Sequence, residues 1–306
     1  MNLSSLARSR DARGLAPLLL AGLAFGILFW APVTTLVRDW LNDPEASHGL
    51  LLGPVAVWLA WKRGIHPEAR PWPVIGLVLL GMAVLLRYAS GLAAELFTMR
   101  MSLLGGLAAI VVFVWGIRQL GRWWLPASLL ILSVPVPDVI ISTLALPLQL
   151  QASEMGATLL QWRDVPVTLA GNVIHLPGQS LFVTEACSGL RSITALLALG
   201  LLMGGLWLRH PASRGVLVAL TIPVAMVLNG VRIFLTGFFV YFVDPALGEG
   251  VMHYTEGWAL FVVAFLILGG VSWLLVTLER AIRRRARAHL TVSETAAEPA
   301  LARGAA

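Results

Sequence analysis

The sequence has little charge and only one cysteine, and each scarcity excludes a class of protein. Asp, Glu, Lys and Arg make up 12% of the 306 residues, against roughly 25% in an ordinary soluble domain. The single cysteine, Cys187, cannot form an internal disulfide or a thiolate metal cage. The sequence also lacks the HExxH and HxxxH spacings. We therefore predict neither a metal site nor a cofactor.

Apolar residues take the place of the missing charges. They form 58% of the chain, and its mean hydropathy is +0.82. A helix needs about 20 mostly apolar residues to cross a bilayer. Runs of this kind recur between short charged segments. The sequence therefore predicts an all-α polytopic membrane protein with about eight transmembrane helices, at about residues 15–37, 49–61, 72–90, 101–117, 123–140, 188–207, 215–242 and 257–278. We expect Pro135 to Pro137 to break the span at 123–140.

Two segments before the cysteine differ from these runs. In 141–162, Gln149, Gln151, Ser153 and Glu154 interrupt the apolar face, which favours an amphipathic helix on the membrane surface. A helix that crosses the membrane is the alternative left open. Residues 163–186 contain short β-type runs separated by glycine and proline. We expect them to form a small strand-containing lip outside the bilayer, because open sheet edges cannot face lipid.

The basic residues predict the orientation of the spans. Lys and Arg concentrate in alternate segments, at 1–14, 62–70, 118–122, 209–214 and 280–287. The positive-inside rule places these segments in the cytoplasm, so both termini are predicted to be inside. This topology also accounts for the net charge of +6, so we expect the lipid bilayer, and no nucleic acid, as a partner. The predicted domains are a cytoplasmic N-terminus (1–14), one membrane-embedded domain (15–279) and a basic, disordered cytoplasmic tail (280–306).

Cys187 lies in an unusual setting for a buried cysteine, the sequence EACSGLRS at 185–192. A thiol attacks a carbonyl as the thiolate, and its pKa of about 8.5 falls beside a cation or at a helix N-terminus. Ser188 and Gly189 open the sixth predicted span, and Arg191 follows within its first turn. Small residues here let a peptide backbone approach the thiol. A lone membrane cysteine more often packs than reacts, so this motif alone leaves both roles open.

A polar pair, Asn229 and Arg232, lies inside the predicted span 215–242. Inserting a charged residue costs about 2.5 to 3.5 kcal/mol, so such a residue is a candidate functional site. The alternative is a structural clamp between helices. Arg232 precedes the predicted outer end by about ten residues, roughly 15 Å along a helix. We therefore expect any site at Arg232 to be sunk into the outer leaflet.

His253 lies in the predicted outer loop before the last span, on the same side as Cys187. An imidazole there can pair with the thiolate and later protonate a leaving amine. His48, on another outer loop, is the only rival, and His175 fits a structural role in the strand region. The functions of His48, Glu185 and Glu256 stay open.

These positions, in this order, resemble the exosortase/archaeosortase family of membrane cysteine transpeptidases. EACSGLRS carries the resemblance, together with NGVR ending at Arg232 and a histidine before the last span. SHGLLL at 47–52 and PVPD around Pro137 are similar too, and the resemblance covers about residues 40–275. The family's proposed triad of Cys, Arg and His implies Cys187, Arg232 and His253 as catalytic residues. Arg191, Asn229, Ser188 and Gly189 would support them or bind substrate.

The resemblance implies a function in protein sorting. Its substrates would be exported bacterial proteins with a C-terminal tail made of a Pro-Glu-Pro type motif, a transmembrane helix and a basic cluster. The enzyme would lie in the inner membrane with its active site on the extracytoplasmic side. It would cut through a thioacyl intermediate and pass the substrate to an unidentified acceptor, in association with exopolysaccharide production. Hydrolysis with water as acceptor is equally compatible with the residues.

A non-catalytic membrane partner or transporter of polysaccharide assembly is the alternative. In that case Asn229 and Arg232 would line a substrate path. Internal inverted repeats are typical of many transporters, and we find none by inspection of the sequence.

Overall fold

The computed structural model describes residues 17, 19–43, 46–183, 190–244 and 259–284. Helices dominate this part, as expected for a polytopic membrane protein. In chain order they are α1 (Leu19–Leu28), α2 (Trp30–Asn42), α3 (Gly49–Arg63), α4 (Pro73–Leu92), α5 (Leu96–Trp115), α6 (Ile117–Arg122), α7 (Trp124–Leu132), α8 (Asp138–Gln161), α9 (Leu190–Trp207), α10 (Pro211–Phe242) and α11 (Ala259–Arg284).

Four of the described helices are long and apolar enough to cross a membrane: α4, α5, α10 and α11. The pair α1 and α2 also qualifies if it counts as one span with a 58° bend. These helices correspond to five of the predicted spans. The predicted total of eight is not confirmed, because α3 and α9, with 15 and 18 residues, do not meet the same test.

The break expected within the predicted span at 123–140, at Pro135 to Pro137, is confirmed. Helix α7 has only nine residues and ends at Leu132, and α8 begins at Asp138. Nine residues rise about 14 Å, far less than the roughly 30 Å of hydrocarbon in a bilayer. The break follows from Pro135 and Pro137, because proline lacks an N–H and disfavours a helical residue before it.

Helix α8 packs against α10 along one side. Of its four interrupting polar residues, Gln149 and Ser153 are buried, at 5% and 0% exposed, whereas Gln151 and Glu154 are exposed. The placement of this helix on the membrane surface stays a prediction. A Cβ added at Gly156 would lie 2.5 Å from Ile233 Cγ2 on α10. Four residues later Leu160 lies against Gly237. Both contacts advance in the same direction along the two helices, so the second half of α8 runs parallel to α10.

Contacts divide the chain into two compact units at the junction of Pro137 and Asp138. In the first unit the closest helix pair is α4 and α5. A Cβ added at Gly76 would lie 2.5 Å from Phe113 Cα and 2.7 Å from Phe113 N. Only a residue without a side chain allows this approach, which small residues provide in membrane helix pairs.

The close approach of α4 and α5 gives a stability prediction. We expect Gly76→Ala to destabilise the protein by about 1 to 3 kcal/mol, because the Phe113 backbone would have to move. Gly81→Ala on the same helix is the matched control, since nothing lies within 4 Å of its added Cβ. Thermal unfolding in detergent compares the two variants. Equal unfolding temperatures would contradict the packing described here.

The basic segments of the first unit lie together at one end. Arg63 Nη1 donates to the Arg122 carbonyl at 2.9 Å, and Arg122 Nε donates to the Arg63 carbonyl at 2.7 Å. The predicted inner segments 62–70 and 118–122 therefore meet, as a shared side of the membrane requires.

The second unit shows the same arrangement. The Glu279 carboxylate accepts hydrogen bonds from the backbone N–H groups of Arg209 and His210 at 3.2 and 3.0 Å. The predicted inner segment 209–214 thus lies beside the C-terminal end of α11. Which side of the membrane this is, and the N-in, C-in orientation, stay predictions.

A three-stranded antiparallel sheet follows α8, within the predicted strand segment. Its strands are β1 (Thr168–Ala170), β2 (Val173–Leu176) and β3 (Gln179–Phe182), in that spatial order. Two-residue turns join them, with Gly171 and Gly178 at φ values of 64° and 88° that glycine adopts without strain. The inner face of the sheet joins a core with the ends of α8 and α10, formed by Leu160, Ile174, Leu176, Ile233 and Val240.

Candidate active site

The structure describes two of the predicted site residues fully, and both lie on α10. Asn229 is 6% exposed, and Arg232 is partly buried. One turn later, Thr236 Oγ1 donates to the Arg232 carbonyl at 3.0 Å. The long apolar helix thus carries a short polar segment near its middle. We expect this segment to carry a function or to clamp helices together.

The other predicted site residues are less fully described. Arg191 lies in the first turn of α9. Cys187, Ser188, Gly189 and His253 lie outside the described residues, as do Glu185 and Glu256. The expected meeting of Cys187, Arg232 and His253 in one cavity therefore stays a prediction.

The packing of α9 against α10 places the start of α9 next to Arg232. A Cβ added at Gly200 would meet Thr221, and one added at Gly204 would meet Arg214, so the two helices are antiparallel. Leu190 is ten residues before Gly200, and residue 231 is ten residues after Thr221. Because both helices rise equally per residue, the Gly200 contact places the start of α9 beside residue 231, and the Gly204 contact places it beside residue 228.

This register also gives the level at which α9 begins, measured along α10 from its C-terminal end. Residue 231 lies eleven residues before the end of α10 at Phe242, or roughly 16 Å along the helix axis. The start of α9 is therefore well below the end of α10, near the level of Arg232. This level agrees with the expectation that a site at Arg232 is sunk below the end of its helix.

A small cavity of about 20 Å³ lies where α8, α9 and α10 meet. This volume is enough for about one water molecule, and too small for a peptide. Its lining consists of Leu148, Gln151, Ala152, Met155, Ile193, Ala225, Met226 and Asn229. Asn229 and Gln151 are the two polar residues of this lining. Positions 148, 151, 152 and 155 share one helical face. This spacing is the feature of the sequence that could have predicted a face of α8 packed against other helices.

Comparison with known proteins decides the family. A family model described as transmembrane exosortase (Exosortase_EpsH) matches residues 40–270. The chain belongs to the transmembrane exosortase family. The match covers well over half of the chain and confirms the resemblance found in the sequence. Searches of the curated proteins and of the solved structures returned no match.

The two described histidines considered as site residues make structural contacts in this exosortase. His48 Nε2 hydrogen-bonds the Leu132 carbonyl at 3.2 Å, next to the bond from Trp40 Nε1 to the Ser133 carbonyl at 2.7 Å. These bonds join the start of α3 and the last turn of α2 to the end of α7 within the first unit. His175 Nδ1 hydrogen-bonds Ser180 Oγ at 2.7 Å on the exposed side of the sheet.

Among the described residues of the exosortase, no group of three or more His, Cys, Asp or Glu side chains lies close enough to hold a metal ion. The polar groups that α10 offers for chemistry at its middle are the amide of Asn229 and the guanidinium of Arg232. A guanidinium is a permanent cation with a rigid fork of N–H donors. It can neutralise a thiolate or bind an oxyanion.

Proposed function

We propose that this exosortase is a cysteine-dependent membrane transpeptidase or protease that cleaves the C-terminal sorting tails of exported proteins. The observation that carries the proposal is the register of α9 on α10, together with family membership. Leu190 follows Cys187 by three residues and begins α9 beside Arg232. Three residues of chain span at most about 10 Å, so this register supports the proposal that Cys187 and Arg232 act together.

The proposed reaction starts with the Cys187 thiolate. It attacks the carbonyl carbon of the scissile peptide bond, a C–S bond forms, and the carbonyl oxygen becomes an oxyanion. Arg232 donates hydrogen bonds to this oxyanion, in a low-dielectric site where such stabilisation is strongest. His253 donates a proton to the leaving amine as the C–N bond breaks. A thioester on Cys187 remains.

The second half of the reaction releases the substrate. A nucleophile attacks the thioester carbonyl while His253 takes up its proton, and the new oxyanion again accepts hydrogen bonds from Arg232. The C–S bond then breaks, the carbonyl re-forms and the Cys187 thiolate leaves. Water as nucleophile gives hydrolysis, and an amine or hydroxyl of another molecule gives transpeptidation. The N-terminus of α9 adds a partial positive charge near Cys187, and Arg191 adds a full one. The small residues Ser188 and Gly189 let the substrate backbone approach the thiol.

We place the enzyme in the bacterial inner membrane with its site on the extracytoplasmic side. Within each unit the basic segments meet at one end, which supports this orientation, because the positive-inside rule keeps such segments in the cytoplasm. A substrate anchored by its own transmembrane helix would present the motif at the same outer level. Asn229, one turn below Arg232, would hold a water or a polar group of the site.

A reporter with a sorting tail tests the proposal. We expect a periplasmic protein fused to a Pro-Glu-Pro type motif, a transmembrane helix and a basic cluster to be shortened when co-expressed with this exosortase. Immunoblotting detects the shortening, and mass spectrometry locates the new C-terminus near the motif. A second reporter with three alanines in place of the motif is the control. An uncut first reporter, or equal cutting of both, would contradict the proposal and favour the transporter alternative.

A further inference from the structure

The outer edge of β3 carries backbone groups that are not used within the sheet. In the antiparallel pairing of β2 and β3, Ile174 faces Leu181 and Leu176 faces Gln179. The Val183 N–H continues the ladder by donating to the Asn172 carbonyl at 2.9 Å. Because hydrogen-bonded pairs alternate along such a ladder, residues 179, 181 and 183 bond to β2.

The N–H and C=O groups of Ser180 and Phe182 therefore point away from β2. Within the described part of the chain, β3 ends the sheet, and no further strand pairs with it. An edge of this kind is a template for another extended strand. The Phe182 side chain is 64% exposed beside it, so an apolar surface accompanies the open hydrogen-bonding groups.

The position of β3 connects this edge to the candidate active site. Leu181 Cδ1 would lie 3.4 Å from a Cβ added at Gly237 on α10. Gly237 is five residues beyond Arg232, or about 7.5 Å along the helix. Phe182 also precedes Cys187 by five residues, a distance of at most about 17 Å of extended chain. A short extended peptide could therefore contact both this edge and the proposed catalytic residues Cys187 and Arg232.

We propose that the outer edge of β3 binds an extended segment of the substrate polypeptide as a fourth strand, beside the scissile bond. Ser180 and Phe182 supply up to two N–H donors and two C=O acceptors, which pair with the peptide backbone whatever its side chains. The exposed Phe182 ring covers one face of the added strand. This is strand addition to a sheet edge, which gives affinity through main-chain hydrogen bonds. The inference rests on the proposed function for the identity of the substrate.

A proline scan of the two sheet edges tests the binding mode. Ser180→Pro and Phe182→Pro each remove one outward N–H without touching the ladder to β2, a position that proline tolerates. We expect each to lower the rate of reporter cleavage on the order of tenfold. Leu169→Pro is the matched control, because its N–H points outward from the opposite edge, on β1. His175→Ala controls for the lost bond between His175 and Ser180. Neither control should lower the rate more than about twofold.

Photocrosslinking separates the binding mode from the catalytic proposal. A photoreactive amino acid replaces Phe182, or Leu169 as control, in the full-length Cys187→Ala protein, and the reporter is co-expressed. Crosslinks to the reporter at position 182 and not at 169 would support strand addition even if wild type failed to cleave. Cleavage by wild type that persists undiminished in both β3 proline variants, without crosslinks at 182, would overturn it. Crosslinks at 182 to a second copy of this chain, in place of the reporter, would overturn it as well.

Discussion

Cys187→Ala should abolish cleavage of the sorting-tail reporter while the amount of protein in the membrane stays unchanged. In the proposed mechanism the thiolate forms the C–S bond of the intermediate, and alanine has no atom that can do so. We expect the rate to fall by at least about a thousandfold. Immunoblots of reporter and enzyme from the same membranes give cleavage and protein level together.

Two further measurements sharpen this test. Cys187→Ser keeps the size of the side chain but offers a much weaker nucleophile at neutral pH, so it too should leave the reporter uncut. Because Cys187 is the only cysteine, alkylation of the wild-type protein with iodoacetamide modifies this one thiol and should stop cleavage. If Cys187→Ala cleaves like wild type, the thiol only packs, and the proposed chemistry is wrong.

Arg232→Lys should lower the rate of cleavage by about a hundredfold to a thousandfold, close to the effect of Arg232→Ala. Lysine keeps the positive charge but loses the planar fork of donors that can hold an oxyanion. Losing one donor to a tetrahedral intermediate costs a factor of this size in other acyl-transfer enzymes. Initial rates of reporter cleavage in purified proteoliposomes measure it.

The structure offers a matched control for the arginine on the same helix. Arg214, at the other end of α10, donates through Nε to the Leu208 carbonyl at 3.0 Å, about 27 Å from Arg232 along the axis. Arg214→Lys should leave cleavage within about twofold of wild type. A structural clamp at Arg232 predicts a different pattern. Arg232→Lys would then lower the unfolding temperature, and the remaining folded protein would cleave normally.

The positions of single helices were largely predictable where the apolar pattern was long. The predicted spans at 72–90, 215–242 and 257–278 correspond to α4, α10 and α11 within a few residues. The break at Pro135 and Pro137 was predictable too, because proline interrupts a helix through its own local geometry, and the chain breaks its helix at these residues.

The polar residues of α8 show a limit of reasoning from composition. All four polar residues of this segment pointed to contact with water, yet only Gln151 and Glu154 are exposed, and Gln149 and Ser153 are buried in the protein. A polar side chain requires hydrogen-bonding partners, which either water or a neighbouring helix can supply. The spacing of polar residues along one helix therefore does not show which of the two surrounds them. The small residue Gly156, which lets α10 approach, is informative only when the partner is known.

The sequence by itself determined the membrane class and the strand segment before the cysteine. It also marked the candidate chemistry at Cys187, Arg232 and His253 and led to the family, because hydrophobic length, turn residues and rare polar residues are local properties. Only the tertiary structure decided the depth of the start of α9 and the parallel course of α8 along α10. It also decided which backbone groups β3 leaves at its edge. These depend on the register between segments far apart in the chain, which is set by how side chains pack.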